Sequence, residues 1–338
     1  MKTILVTGGT GYLGSHTTVE LLNAGYEVVI VDSLVNSKIL VLDRIERITG
    51  RRPIFYLADL RDEKKIRDIF MKHRFDSIIH FAGLKAVGES VEKPQMYFDN
   101  NVGSSIMLLK LMDEFGVKNI VFSSSATVYG VPDHVPVLET DPIKKATNPY
   151  GQTKIEIEKL LQKAYQKDRN MNIVILRYFN PIGSHTSGLI GEDPNDIPNN
   201  LMPYITQVAV GKRPYLNVYG NDYKTHDGTG IRDYIHVVDL AKGHLAALQV
   251  IEQKKGLVIY NLGTGKGTSV LDLVKAFEKV TRIKIPYVIT KRRDGDIDIN
   301  YANCDKAKRE MNWQAQLSIE DCCQDAWNWQ KNNPNGYE

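Results

Sequence analysis

The sequence has 338 residues, of which 42% are hydrophobic and 25% are charged, an ordinary globular composition. Its length predicts about two domains. The formal net charge of +3 gives no reason to expect a nucleic-acid or membrane partner. The first residues form a strand-like run without the long apolar region of a signal peptide, and no stretch of about 18 apolar residues predicts a membrane span.

Short apolar runs alternate with helical patterns through the first half of the chain. They predict buried parallel strands near residues 4–6, 28–31, 54–57, 77–81, 120–122 and 173–176, and helices near 13–24, 62–73, 99–115 and 150–167. This alternation predicts an α/β fold with a Rossmann-like doubly wound parallel sheet.

The pattern changes after about residue 180, where proline, glycine, asparagine and aspartate predict long loops. We predict a first domain over residues 1–180 and a smaller mixed α/β C-terminal domain over residues 181–338. Segments near 235–262, a helix followed by a strand, are expected to return to the first domain.

The first predicted strand runs into a glycine-rich turn, Gly8-Gly9-Thr10-Gly11-Tyr12-Leu13-Gly14, ahead of a helix. Gly8, Gly11 and Gly14 permit a sharp turn, a close backbone approach to a pyrophosphate and close helix packing. The helix N-terminus offers free N–H groups to phosphates. A merely structural turn is the alternative, but the position after the first strand favours dinucleotide binding.

Three further candidates follow predicted strands, where open α/β sheets bind their ligands. Asp32 ends the second strand, 18 residues after Gly14, and a carboxylate there binds a ribose 2′-hydroxyl and repels a 2′-phosphate. NAD is therefore favoured over NADP. Asp59 is positioned to meet adenine, and the loop 81–85 to meet ribose and pyrophosphate. Each alone would be an ordinary loop residue.

A second glycine cluster covers residues 263–268. A nucleoside-triphosphate loop requires serine or threonine directly after its lysine, and here Gly267 separates Lys266 from Thr268. We interpret this cluster as a strand-to-helix turn.

Tyr150 and Lys154 stand one helical turn apart, so their side chains share a helix face. Lowering the pKa of a tyrosine by ~3 units takes about 4 kcal/mol. A lysine at roughly 4 Å supplies about that much at an effective dielectric near ~20. Such pairs also occur on solvated helix faces, so the spacing indicates a proton-accepting tyrosine only beside a cofactor site.

Several segments together carry a family resemblance. They are the glycine turn, residues 80–90 (HFAGLKAVGES), 123–130 (SSSATVYG), 177–181 (RYFNP), 198–203 (PNNLMP), 230–236 (GIRDYIH) and the Tyr150-x-x-x-Lys154 pair. They resemble the UDP-glucose 4-epimerase family of extended short-chain dehydrogenases/reductases, over essentially the whole chain. The resemblance implies an NAD-binding domain over residues 1–180, a UDP-sugar-binding domain over 181–338 and interconversion of UDP-glucose and UDP-galactose.

The resemblance also implies residue roles. Tyr150 would be the catalytic base, Lys154 would bind the nicotinamide ribose and lower the pKa of Tyr150, and Ser125 would bond the sugar hydroxyl. NAD would be held by Gly8, Gly11, Tyr12, Leu13, Gly14, Asp32, Asn36, Ser37, Asp59, Leu60, Phe81, Ala82, Gly83, Lys85, Asn100, Ser123, Tyr150, Lys154 and Phe179. The UDP-sugar would be held by Lys85, Ser125, Tyr150, Asn180, Asn200, Leu201, Asn217, Tyr219, Arg232, Arg293, Asp296 and Asn300.

Physical chemistry supports part of this assignment. Arg232 and Arg293 carry planar guanidinium groups suited to a diphosphate, although a single surface arginine is more often a solvated charge. The resemblance further implies a homodimer joined through segments 99–115 and 150–167. The three cysteines, Cys304, Cys322 and Cys323, form neither a disulfide framework nor a metal-binding pattern, so we expect a cytoplasmic protein without a bound metal.

Two alternatives have the same fold. A nucleotide-sugar 4,6-dehydratase needs an additional acid and base beside the sugar. That subfamily has Thr-Asp-Glu where this chain has Ser125-Ala126-Thr127, so dehydration is disfavoured. A non-enzymatic dinucleotide sensor need not keep Ser125, Tyr150 and Lys154, and their presence argues against it.

One position leaves the substrate range open. In the family that the chain resembles, the residue four positions after the Arg-x-Gly-Asp run gates the sugar 2-substituent. Tyrosine there is typical of enzymes restricted to glucose and galactose, and cysteine or serine of enzymes that admit N-acetyl sugars. Here the position is Asn300, which is intermediate in size. We hypothesise some acceptance of UDP-N-acetylglucosamine.

Overall fold

The computed structural model describes residues 1–195, 198–293 and 295–338. In chain order the strands are β1 (Thr3–Thr7), β2 (Glu27–Asp32), β3 (Ile54–Leu57), β4 (Ser77–His80), β5 (Asn119–Ser125), β6 (Asn172–Tyr178), β7 (Asn180–Ile182), β8 (Leu216–Tyr219), β9 (Ile231–Arg232), β10 (Tyr234–His236), β11 (Leu257–Leu262), β12 (Thr268–Ser269), β13 (Tyr287–Thr290) and β14 (Ile299–Asn300). The α-helices are α1 (Tyr12–Asn23), α2 (Val41–Thr49), α3 (Glu63–Lys72), α4 (Val87–Glu92), α5 (Pro94–Tyr97), α6 (Gly103–Glu114), α7 (Pro149–Lys167), α8 (Leu201–Ala209), α9 (Val237–Glu252), α10 (Val270–Thr281), α11 (Asp305–Met311) and α12 (Ile319–Asn332).

Seven of the described strands form the central sheet, in the order β11-β6-β5-β4-β1-β2-β3, and each neighbouring pair is parallel. All six strands predicted for the first half lie in this sheet, which confirms the Rossmann-like α/β fold. The strand order reverses between β1 and β4, which places a crevice at the carboxyl ends of these strands.

Helices cover both faces of the sheet, so its central strands are buried on both sides. Ile4 and Val6 of β1 belong to one core cluster with Leu240 of α9, whereas Leu5 belongs to the other with Leu108 of α6. The alternation follows from the two-residue period of a strand.

The segment after residue 236 runs back to the central sheet. Its helix α9 packs on α1, and β11 pairs in parallel with β6 from Leu257 opposite Ile173 to Leu262 opposite Tyr178. The glycine cluster at 263–268 follows β11 and leads through β12 into α10, which confirms a strand-to-helix turn rather than a triphosphate loop.

The second half contributes a smaller layer in which α12 packs against α8 and α10, α8 packs against β8, and β8 pairs with β13. Ile205, Leu216, Leu273 and Phe277 lie in its core cluster. Two further small sheets, β10-β7 and β12-β9-β14, lie beside it. Across the described ranges, no helix has the length and apolarity needed to cross a membrane.

Two local features differ from the sequence prediction. The helix expected over 99–115 begins instead as a π-helical turn, Phe98–Val102, and continues as α6. The short helices α2, α4 and α5 were not predicted. The longest of them, α2, buries Val41, Leu42 and Ile45 on one face, but its nine residues fall short of the roughly 10–12 that favour a helix in a sequence pattern.

Candidate active site

A cleft with a volume of about 210 Å³ lies at the carboxyl ends of the central strands. Its walls include every residue predicted to hold NAD except Phe179. Phe179 is 7% exposed and belongs to a hydrophobic cluster with Val128, Tyr129 and Ile155. The cleft also collects residues that the sequence did not single out, among them Ser104, Tyr178, Glu192, Asp193 and Tyr337.

The glycine turn forms one wall of this cleft, and two of its glycines are required by close contacts. Gly8 has a φ of +73°, and a Cβ there would lie 2.8 Å from the backbone nitrogen of Ala82. A Cβ at Gly14 would lie 2.2 Å from the carbonyl oxygen of Gly8. Helix α1 starts directly after Gly11, and its first turn carries no acidic group, so its N–H groups face the cleft uncompensated. This wall fits a pyrophosphate.

Asp32 lies at the end of β2, as predicted. Its Oδ2 accepts a hydrogen bond from the Thr10 N–H at 3.1 Å, and its Oδ1 accepts from the Leu34 N–H at 2.9 Å and the Ser37 hydroxyl at 3.2 Å. A carboxylate has about four acceptor sites, so Asp32 keeps capacity for a ribose hydroxyl. Asp59 also lines the cleft, with its carboxylate paired to Arg61.

Tyr150 and Lys154 lie on the first two turns of α7, with their side chains inside the cleft. The helix starts at Asn148, whose side chain accepts from the Gly151 N–H at 2.8 Å, and Pro149 occupies its first turn. The Lys154 ammonium donates to the Ser123 carbonyl at 2.7 Å and lies 5.7 Å from the centre of the Tyr150 ring. The Ser125 hydroxyl lies near enough to the Tyr150 hydroxyl to lower its pKa by side-chain hydrogen bonding. The three predicted catalytic residues are therefore together.

Burial shifts the pKa values of Tyr150 and Lys154. It raises the pKa of Tyr150 to about 12, against a lowering effect of the Ser125 hydrogen bond. It lowers the pKa of Lys154 to about 8, against a raising effect of Glu158. The charge argument from the sequence did not include this desolvation. The lowering of the Tyr150 pKa by Lys154 stays a prediction.

A buried ion pair lies one helical turn beyond Lys154. Glu158 and Arg177 have side chains 0% and 2% exposed and form two hydrogen bonds, at 2.6 and 2.9 Å. The Ser124 hydroxyl donates to Glu158 at 2.6 Å, and Arg177 donates to the Tyr129 hydroxyl at 3.1 Å. The sequence contains one indication of this ion pair, which is that Glu158 stands four residues after Lys154 on the same helix face.

A second cleft, of about 150 Å³, lies beside the first at the small sheets. It collects eight of the residues predicted for the UDP-sugar, namely Asn180, Asn200, Leu201, Asn217, Tyr219, Arg232, Arg293 and Asp296. It adds residues outside the motifs that carried the resemblance, among them Tyr204, Arg213, Tyr215 and Tyr223.

The charges of the second cleft suit a dianion. Asp296 accepts from the Arg293 Nε at 2.9 Å and lies 3.8 Å from a guanidinium nitrogen of Arg232. The Arg293 guanidinium lies 5.0 Å from the centre of the Tyr219 ring. Arg213 also lines this cleft, so its described lining has three arginines and one carboxylate, and this positive charge fits a diphosphate.

Glu192 joins the two clefts. Its Oε1 accepts from the Lys85 ammonium at 3.0 Å and from the Asn200 amide at 2.7 Å, and its side chain is 8% exposed. Lys85 lines the first cleft and Asn200 the second. The sequence did not single out Glu192.

The residues after Ser125 take up a tight turn. Ala126 is buried, and the Thr127 hydroxyl donates to the Ser125 oxygen at 3.0 Å. This position therefore presents a methyl group and an engaged hydroxyl where the dehydratase pattern has two carboxyl groups.

Asn300 lies in β14, opposite Arg232 of β9. Its Oδ1 is buried and has no hydrogen-bond partner among the described atoms. A buried amide oxygen of this kind costs free energy until a donor reaches it.

Comparisons with known proteins agree with this geometry. Residues 5–326 match the family described as GDP-mannose 4,6 dehydratase. The chain is 57% identical to a UDP-glucose 4-epimerase of Pasteurella multocida over 99% of both chains, and 55% identical to that of Bacillus subtilis over 99% of this chain and 98% of the relative. A crystal structure of UDP-glucose 4-epimerase from Bifidobacterium longum in complex with NAD+ and UDP gives a TM-score of 0.97 at 52% identity, covering 99% of this chain and 100% of that chain.

Proposed function

The chain belongs to the UDP-glucose 4-epimerase family, and from this membership we propose that it interconverts UDP-glucose and UDP-galactose with bound NAD. The observation that carries the proposal is the position of Tyr150 and Lys154 in a dinucleotide cleft that adjoins a diphosphate-binding cleft, with Ser125 beside Tyr150. The protein is an isomerase, and its solved relative binds both NAD and UDP.

NAD, when bound, supplies the acceptor and donor of a hydride at the sugar C4. The residues supply position and proton transfer. Tyr150 takes the proton of the 4-hydroxyl and returns it, and Ser125 holds that hydroxyl in place. Arg232 and Arg293 hold the diphosphate while the 4-keto sugar turns to present its opposite face. Because the anchor is the nucleotide rather than the sugar, both faces of C4 can meet the same cofactor.

Lys154 is the cation that the chain itself contributes to this proton transfer. A tyrosine whose burial raises its pKa to about 12 needs neighbouring positive charge to lose its proton near neutral pH. Lys154 keeps that charge close to the ring, with its ammonium fixed by the Ser123 carbonyl.

Dehydration, the activity in the family's description, is disfavoured in this chain. Elimination of water needs an acid and a base beside the sugar in addition to the tyrosine. Ala126 and Thr127 occupy the positions where the dehydratase pattern has those groups, and the Thr127 hydroxyl is bonded to Ser125.

The proposal is tested with purified protein and no added NAD. We expect conversion of UDP-galactose to UDP-glucose, because the cofactor is regenerated in each turnover. Tyr150→Phe should keep NAD and UDP binding and lose about 10³-fold in turnover, the usual contribution of a positioned acid–base group. Tyr165→Phe, on the same helix, is the control and should keep the wild-type rate. Absence of conversion by wild-type protein with verified NAD would contradict the assignment.

A second substrate class is favoured by Asn300. Its unpartnered buried oxygen offers an acceptor to an amide N–H, and asparagine leaves more space than tyrosine. We therefore propose that UDP-N-acetylglucosamine is also turned over. Asn300→Tyr should remove that activity and keep the activity on UDP-galactose, as measured by the two specificity constants. Undetectable turnover of the acetylated sugar by wild-type protein would end this part of the proposal.

The assembly that we propose is a homodimer formed through α6 and α7. The helices α4, α5 and α6 pack against α7, and they expose the apolar side chains of Val91, Met96 and Ile106. Sedimentation equilibrium should give twice the chain mass of 38.2 kDa, and a single-chain mass would contradict the dimer. The compartment that we propose is the cytoplasm, because the three described cysteines are unpaired.

A further inference from the structure

The glycine-rich turn after β11 encloses a carboxylate of the chain itself. Asp233 is fully buried, and its Oδ1 accepts from the backbone N–H and the hydroxyl of Thr264, at 2.8 and 2.6 Å. Its Oδ2 accepts from the N–H groups of Gly265 and Ala302, at 3.0 and 3.1 Å. A Cβ at Gly263 would lie 2.4 Å from Oδ2, so only glycine fits there. The turn resembles a phosphate loop because it does bind an anion, which is Asp233.

The backbone of Asp233 connects two residues that line the second cleft, Asn180 and Arg232, with Asn300 of β14. Its N–H donates to the Asn300 carbonyl at 3.1 Å, and its carbonyl accepts from the Asn180 N–H at 3.0 Å. Arg232 is the preceding residue. One buried side chain thus fixes the junction at which Asn180, Arg232 and Asn300 meet, although these residues are far apart in the sequence.

We propose that Asp233 is a positioning residue for the nucleotide sugar, whose carboxylate fixes the places of Asn180 and Arg232 in the second cleft and of Asn300 next to Arg232. The proposal rests on the proposed function, from which it takes the substrate-binding role of these three residues. It adds a physical reason for the glycine cluster, which the dinucleotide site leaves unexplained. A residue with this role affects substrate affinity more than the rate of the bound complex.

Asp233→Asn is the sharpest variant because it keeps the shape of the side chain. At the Oδ2 position the new amide nitrogen would face two N–H donors, and at the Oδ1 position it would face the Thr264 N–H, where only the Thr264 hydroxyl can turn to accept. The junction must then shift. Asp239→Asn is the matched control, since Asp239 is 1% exposed and its Oδ2 likewise accepts two backbone N–H groups, those of Gln316 and Leu317, at 2.8 and 2.7 Å.

The measurements are the Kd for UDP of the NAD-loaded protein, by calorimetry, together with KM and kcat for UDP-galactose and the Tm. For Asp233→Asn we expect Kd and KM to rise about tenfold, as for a misplacement of binding groups by a fraction of an ångström, with kcat within about threefold. For Asp239→Asn we expect a loss of Tm with Kd and KM within about twofold. Equal Kd and KM changes in the two variants would overturn the proposal.

If Asp233→Asn does not fold, Thr264→Val decides, because it keeps the carboxylate and removes the hydroxyl donor to Oδ1, together with the hydroxyl's contacts to the Lys266 backbone. Thr264→Val should also raise the Kd for UDP, by a smaller factor than Asp233→Asn. An unchanged Kd would overturn the proposal. The readouts also separate this inference from the proposed function. If the wild-type protein had no epimerase activity, the proposed function would be refuted. The Kd values for UDP of the wild type and of Asp233→Asn would still test the positioning role of Asp233.

Discussion

Burial moves the pKa values of Tyr150 and Lys154 in opposite directions from their ordinary values. The tyrosine is raised to about 12 and the lysine is lowered to about 8, because both charged forms lose hydration in the cleft. The sequence predicted the pair from its spacing, but spacing carries no information on burial. The buried acceptor of Asn300 was beyond prediction for the same reason, although the resemblance identified the position.

The variant Lys154→Met tests the effect of burial on Lys154. The folded pKa of Lys154 lies below the ordinary 10.5, so the buried charge lowers the stability of the folded protein at pH 7. Between about pH 8 and 10.5, Lys154 is protonated more fully in the unfolded chain than in the folded protein. The free energy of unfolding of the wild type therefore rises with pH in this window, whereas that of the variant has no such contribution. We expect the variant to have the higher Tm at pH 7, a Tm difference that narrows across this window, and no turnover.

The control for this prediction is Lys159→Met, because Lys159 lies on the same helix and its side chain is 53% exposed. Its Tm difference from wild type should not change across the same pH window. A Lys154→Met variant that is less stable than wild type at pH 7 would contradict the account of Lys154.

At the scale of elements, α7 and the end of β5 form one unit. Tyr150, Lys154 and Glu158 follow at successive helical turns. Tyr150 lies near the Ser125 side chain, Lys154 donates to the Ser123 carbonyl, and Glu158 accepts from the Ser124 hydroxyl. The helix and the strand were both predicted. The partner of Glu158 was not, because Arg177 belongs to β6 and local periodicity does not show which strands become neighbours.

Glu158→Gln tests the importance of this unit for stability. Removing one member of a buried ion pair leaves the other charge uncompensated, at a cost of about 3–5 kcal/mol. We expect that loss in the free energy of unfolding from denaturant titration, and a loss of about 1 kcal/mol for Ser124→Ala, which removes one neutral donor. The double variant Glu158→Gln/Arg177→Met should recover part of the stability. A Glu158→Gln variant with the wild-type free energy of unfolding would refute the stabilising role of this ion pair.

The π-helical turn before α6 shows where element prediction fails. Asn101 accepts from the Leu84 N–H at 2.7 Å and donates to the Leu84 carbonyl and the Thr153 hydroxyl, at 3.0 and 3.1 Å. Asn100, the preceding residue, lines the first cleft. A helical period predicts a continuous helix, whereas these tertiary bonds accompany a local change of helical register.

At the scale of the whole molecule, the chain crosses between its two halves more than once. The strand β11 completes the central sheet beside β6, and Glu192 bonds Lys85 and Asn200 from the two clefts. The sheet and the glycine turn could be predicted because their signals are local. The link through Glu192 could not, since its partner Lys85 is 107 residues away. The division into domains at residue 180 stays a prediction.

The central claim is that the hydrogen at C4 leaves the sugar and returns to it within one molecule of enzyme. The most direct test uses UDP-galactose deuterated at C4, with wild-type protein in ordinary water. We predict UDP-glucose that keeps the deuterium at C4, and no solvent deuterium at C4 when unlabelled substrate reacts in heavy water. Loss of the label to water would contradict the account, because it would mean that C4 loses a proton rather than a hydride.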